Sequence, residues 1–84
     1  MSGLASFART RAFLDQLERS QGLAAERITA TRADLASAEK LTGRMRQQAL
    51  KKLATQVTTD ARAAADRPKV RMLSTAITEL VSLP

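Results

Sequence analysis

The chain has no cysteine and no histidine. Without cysteine there is no disulfide and no thiolate metal site. Without histidine, zinc and haem lose their usual ligand and acid–base catalysis loses its commonest group. Tyrosine and tryptophan are absent as well, and the aromatics are Phe7 and Phe13, both near the start. Stacking of bases on aromatic rings therefore has almost no support. There is no asparagine, so the bidentate contact to adenine would fall to Gln47, Gln48 or Gln56. The three glycines, Gly3, Gly22 and Gly43, form no phosphate-cradling loop. No apolar run approaches the roughly 20 residues of a membrane span. Arg9 and Arg11 stand where a signal peptide would carry its apolar stretch. These absences predict a cytoplasmic protein with no membrane contact.

What is present is helix-forming. The 84 residues suit one small domain with a thin core. Hydrophobic residues make up 44%, but many are alanine, which lets helices approach closely while burying little area. Modest stability or a self-associating helix face follows. The 14 basic and 8 acidic residues leave a net charge of +6, which suits an acidic protein, nucleic acid or another anionic surface. Abundant Arg and Ala also fit a GC-rich bacterial or phage genome with no function attached.

The strongest pattern runs from Met45 to Ala65. Met45, Ala49, Leu50, Leu53, Ala54, Val57, Ala61 and Ala64 follow the i, i+3, i+4, i+7 steps of a helix with one buried face. Upstream, Leu4, Phe7, Arg11, Leu14 and Leu17 step along one face of a first helix over about 4–20. Asp15–Arg19 and Arg11–Asp15 are its i, i+4 pairs. Gly22 suits the left-handed residue just past that helix. Residues 23–30 read either as a helical turn or as a connection, with Ile28 buried in both cases. Thr29 or Thr31 is the expected N-cap of a second helix over 31–42, carrying Leu35, Ala38 and Leu41.

Gly43 decides the architecture. One unbroken helix from Thr31 to Ala65 would be roughly 50 Å long. The flanking helices could not cover it, so it would require a homodimer. A glycine inside a helix costs about 1 kcal/mol against alanine, and a break at Thr42-Gly43 is the reading for a monomer. Asp66-Arg67-Pro68 marks the clearest boundary, with Asp66 as N-cap and Pro68 in the first turn of a last helix. That helix buries Val70, Leu73, Ile77 and Leu80, with Met72, Ala76 and Leu83 flanking, and Pro84 ends it. The expected fold is an all-α bundle of three to four short antiparallel helices at about 4–20, 31–42, 44–65 and 68–82.

Catalytic chemistry finds no setting. Asp15 and Glu18, or Asp34 and Glu39, lie scattered among arginines, and no serine has a base or a nucleophile-elbow context. The expectation is a protein that is not an enzyme and needs no cofactor or metal. Charge distribution is more specific. Lys40–Thr59 holds five basic residues (Lys40, Arg44, Arg46, Lys51, Lys52) and no acidic one. Lys40, Arg44 and Lys51 fall together on a helical wheel, with Gln47 beside them and Arg62 further along, while Arg46 lies nearer the apolar stripe, where its head would snorkel. Arg67, Lys69 and Arg71 open the last helix against its dipole. A helix–turn–helix reading around Gly43 would put Arg44, Gln47, Gln48 and Lys51 at the start of the second helix.

The functional expectation is a small interaction module of the adaptor, chaperone or inhibitor type, presenting Lys40, Arg44, Gln47, Lys51, Arg62, Arg67, Lys69 and Arg71 to an acidic protein partner. The alternative is nucleic-acid binding, with the same residues contacting phosphates.

Overall fold

Each amphipathic stretch becomes a helix in the computed structural model, which describes residues 6–82. The expectations for residues 1–3, Leu4, Leu83 and Pro84 lie outside the described residues. The elements are α1 (Phe7–Ser20), α2 (Ala25–Lys40), α3 (Gly43–Ala61) and α4 (Arg67–Val81). They run up, down, up and down. Each packs against its neighbour in sequence, and α1 closes the ring against α4. The α3–α4 pair is the most extensively packed.

One apolar core joins all four helices. Leu14, Leu17, Ile28, Leu35, Leu50, Val57, Val70, Leu73, Ile77 and Leu80 are fully buried, and Leu23 and Leu53 nearly so. Each fully buried aliphatic side chain contributes about 1.5–3 kcal/mol. Phe7, Phe13 and Val81 are partly buried against this core. Two threonines complete it. Thr10 is fully buried and its hydroxyl donates to the Ser6 carbonyl at 3.0 Å. Thr31 is also fully buried, and its hydroxyl has no partner among the described residues.

The helix ends show why the boundaries fall where they do. Ser6 caps α1 by accepting from the Arg9 amide at 3.0 Å. The left-handed residue after α1 is Gln21 (φ 56°, ψ 34°), and not Gly22 as expected. The Gln21 and Gly22 amides close the turn by donating to the Glu18 and Leu17 carbonyls. Gly22 serves a different purpose. A Cβ there would stand 2.8 Å from Asp66 Cβ and 2.8 Å from Leu17 Cδ2. The Gly22 carbonyl accepts from the Asp66 amide at 3.0 Å, so two connections touch backbone to backbone at this end of the bundle.

Helix α2 begins six residues before the expected 31, with Ala24 as an N-cap that has no side-chain bond. Thr31 is therefore a core residue in mid-helix rather than a cap. The buried face runs Ile28, Thr31, Leu35, Ala38, and the threonine hides the periodicity of that face from a hydropathy reading. Leu41 and Thr42 are extended and break the chain, and Gly43 opens α3 at φ +60°. Only glycine takes that conformation cheaply. The largest dimension is 33 Å and the radius of gyration is 11.9 Å, about that of a globule of this length. The 50 Å helix does not form, and the premise for a homodimer built on it falls. Helix α3 ends at Ala61, four residues short of the expected 65. At α4 the expected boundary forms. The Asp66 carboxylate accepts from the Lys69 amide at 3.2 Å, with Pro68 in the first turn.

Candidate binding face

The carboxylates sort the charges of the bundle. On the α1–α2 side, basic residues meet acids across the helix pair. Arg32 bonds Asp15 at 2.5 Å and Glu18 at 3.0 Å, and Arg11 bonds Glu39. The expected pairs within α1 are replaced by these pairs between helices. The hydrogen bond from Arg11 holds the Glu39 carboxyl below its ordinary range, and those to Glu18 and then Asp15 raise the already high pKa of Arg32. Between α2 and α3, Arg27 bonds the Asp60 carboxylate at 3.0 Å, and Gln56 donates to its other oxygen at 3.0 Å. The carboxylate pairs considered for catalysis thus have arginine partners, apart from Asp34, which lines a cleft with Lys52.

The outer face shared by α3 and α4 is different. Its seam is a hydroxyl contact between Thr58 Oγ1 and Ser74 Oγ at 2.7 Å, and both hydroxyls lie within hydrogen-bond reach of the Ala54 carbonyl, at 2.8 and 3.2 Å. At 100° per residue, Arg44, Gln47, Lys51, Thr55, Thr58 and Arg62 fall within an arc of roughly 80° on the α4 side of α3. Arg67, Arg71, Ser74 and Thr78 fall within roughly 60° on the facing side of α4. Every one of these residues is exposed except Ser74, which is half-buried. No acid lies in either arc. Asp60 is turned to α2, and Glu79 lines a groove toward α1. Neither α3 nor α4 has an acid in its first turn, so the cations there oppose two positive helix ends. From Arg44 to Arg62 the face is roughly 27 Å long.

Six of the eight predicted site residues therefore come together: Arg44, Gln47, Lys51, Arg62, Arg67 and Arg71. Lys40 does not join them through a continuous wheel, because it ends α2 before the Leu41–Thr42 break. Lys69 is half-buried on the α1 side, where its ammonium donates to Gln16 Oε1 at 2.9 Å. Arg46 is half-buried, and its Nε is buried rather than carried out to solvent as a snorkelling head would be. Met45, expected on the buried stripe, is 65% exposed, and Met72 is 50% exposed.

The reading from sequence missed the groove between α1 and α4. It has a volume of about 220 Å³, with Phe13, Met72 and Ala76 among its walls. The signal was present, since Met72 sits roughly 100° from the centre of the buried face of α4.

No protein-family model, no curated protein and no solved structure matches this chain. Among the described residues no helix is long and apolar enough to cross a membrane.

Proposed function

We propose that this chain is a non-enzymatic interaction module whose α3–α4 face docks on an acidic surface of a partner protein. The observation that supports it is the sorting of charge. Acids neutralise the arginines between α1, α2 and the α2-facing side of α3, while Arg44, Lys51, Arg62, Arg67 and Arg71 share a face with no acid. Such a face attracts an anionic partner and sets its orientation, and it speeds encounter more than it deepens affinity. Exposed pairs of this kind are worth about 0.2–1 kcal/mol each, so a stable complex needs an apolar contact beside them.

Nucleic-acid binding is the second reading. Its support is that Arg, Lys, Gln and Thr all donate to phosphate oxygens. Against it stand the aromatics, Phe7 and Phe13, both half-buried in α1 and neither on the α3–α4 face. The test is fluorescence anisotropy with labelled duplex DNA, single-stranded DNA and RNA at two salt concentrations. Five phosphate contacts give a log–log salt slope of about −4.5, a loss of roughly 500-fold between about 50 and 200 mM salt. Micromolar binding with that slope, lost in Arg44→Glu and Lys51→Glu, would replace the protein-partner reading with the nucleic-acid one. No binding at low salt is the result expected here.

A further inference from the structure

We propose that the groove between α1 and α4 is the apolar anchor of the binding face. Its occupant is one large apolar side chain of an acidic amphipathic helix, whose carboxylates lie along Arg71 and the α3–α4 face. This rests on the reading of that face as a docking surface for an acidic protein.

Met72 is the starting observation. It is 50% exposed, whereas Val70, Leu73, Ile77 and Leu80 of the same helix are fully buried. It stands beside the half-buried Phe13 and the buried Ala76, which form the apolar part of the groove. The Arg9 guanidinium lies over the Phe13 ring, 5.9 Å from its centroid. Methionine is flexible and polarisable, and it adapts to an incoming side chain without a fixed template. Methionine, arginine and aromatic residues are also the types enriched at protein interfaces.

Size selects the occupant. The groove measures about 220 Å³, below the roughly 300–1,000 Å³ of small-molecule sites. It takes one leucine, methionine or phenylalanine side chain rather than a free organic ligand. A helix laid along two antiparallel helices presents such an anchor once per turn or two.

Charge selects the chemistry around the anchor and its direction. Arg71 lines the groove and also belongs to the α3–α4 face, so the apolar spot and the acid-free face meet at that residue. Glu79, the one acid lining the groove, is two turns further along α4, roughly 12 Å away. A bound helix therefore turns its acidic side toward Arg71 and Arg67 and keeps carboxylates away from Glu79. A phosphate backbone offers no apolar anchor, which is why a protein helix fits this surface better than nucleic acid. Met45, the other exposed methionine among the described residues, lines none of the clefts described and plays no part.

The test is selection from a displayed library of random 16-residue peptides on the whole purified protein. Enriched peptides are then synthesised and measured by fluorescence anisotropy. The expected peptides combine a Leu, Met or Phe with Asp or Glu at helical spacing. Their affinity falls roughly tenfold or more in Met72→Glu and several-fold in Arg71→Glu. Both positions are exposed, so the thermal midpoint stays unchanged. Acidic peptides without an apolar residue, bound equally well by Met72→Glu, overturn the groove and leave the α3–α4 face standing. Apolar peptides without acids, indifferent to Arg44→Glu and Lys51→Glu, overturn the face reading itself. No enrichment overturns the groove, and the nucleic-acid titration then decides what the face binds.

Discussion

Replacing Gly22 by alanine tests the close approach at the end of the bundle. The new Cβ would stand 2.8 Å from both Asp66 Cβ and Leu17 Cδ2, and 3.3 Å from Ser20 Oγ. Carbon atoms rest at about 3.5–4.0 Å, so two contacts at once must open by roughly an ångström. Neither neighbour can give easily. Leu17 is fully buried in the core. Asp66 holds the first turn of α4 through its carboxylate, and its own amide donates to the Gly22 carbonyl. Overpacking of this kind costs about 1–3 kcal/mol, and disturbing the Asp66 cap adds about 1 kcal/mol. The expected loss is thus about 2–4 kcal/mol, or some 10–25 °C in the thermal midpoint of a chain this size. Gly43→Ala is the control. A Cβ there meets nothing within 4 Å, and the cost is that of the left-handed backbone alone, about 1–2 kcal/mol. Urea unfolding followed by circular dichroism gives both values if the m-value is unchanged. If Gly22→Ala is no more harmful than Gly43→Ala, the close approach is not what constrains this position.

Three further outcomes follow from the structure. Gln21→Gly relieves a left-handed non-glycine residue after α1 and should stabilise by about 0.5–1 kcal/mol, read as a rise in the urea midpoint. Thr31→Val removes a buried, unpartnered hydroxyl at nearly constant volume and should stabilise by about 1 kcal/mol or more, whereas Thr10→Val, which deletes a made hydrogen bond, should not. The Glu39 carboxyl is held below its ordinary pKa by Arg11, so its contribution is present above the unfolded value of about 4.3 and is lost as pH falls through the folded value. A stability difference between the native chain and Glu39→Gln should therefore exist at neutral pH and close on acidification, and a difference independent of pH would refute the pairing.

The α3 and α4 core was legible in the sequence because its period is carried by aliphatic residues. Leu50, Leu53, Val57, Val70, Leu73, Ile77 and Leu80 all point inward as their spacing predicts. The breaks at Thr42-Gly43 and Asp66 were legible because glycine and a capping aspartate act locally. The start of α2 was not, since a buried threonine looks polar in one dimension. The role of Gly22 was not, since one of the two atoms that crowd it most closely belongs to Asp66, far along the chain. Met45 failed for a third reason: periodicity says which way a residue faces, but not whether a neighbour reaches that far along the helix. The candidate face was half legible. Wheel positions gathered Arg44, Lys51 and Arg62, but which acids stay away from them depends on how the helices are rotated against each other. Met72 marked the edge of the α4 buried face, but the groove also needs α1 beside α4, a pairing that no local pattern encodes.

The contact between Gly22 and Asp66 also bears on the order in which the chain assembles. The α3–α4 hairpin is closed by a short connection and has the most extensive packing, so its contacts cost little loop entropy. The Gly22 carbonyl and Asp66 amide are 44 residues apart in sequence, and Lys69 and Gln16 are 53. Contacts of that separation are slow to find and form once the intervening segments are placed. The hairpin is then the expected nucleus, with α1 docking last and locking the start of α4 as it arrives. A mutation at Val57 or Leu73 should slow folding, while Gly22→Ala should mainly speed unfolding. The glycine that lets two loops touch would thus govern how long the bundle stays closed, rather than how fast it forms.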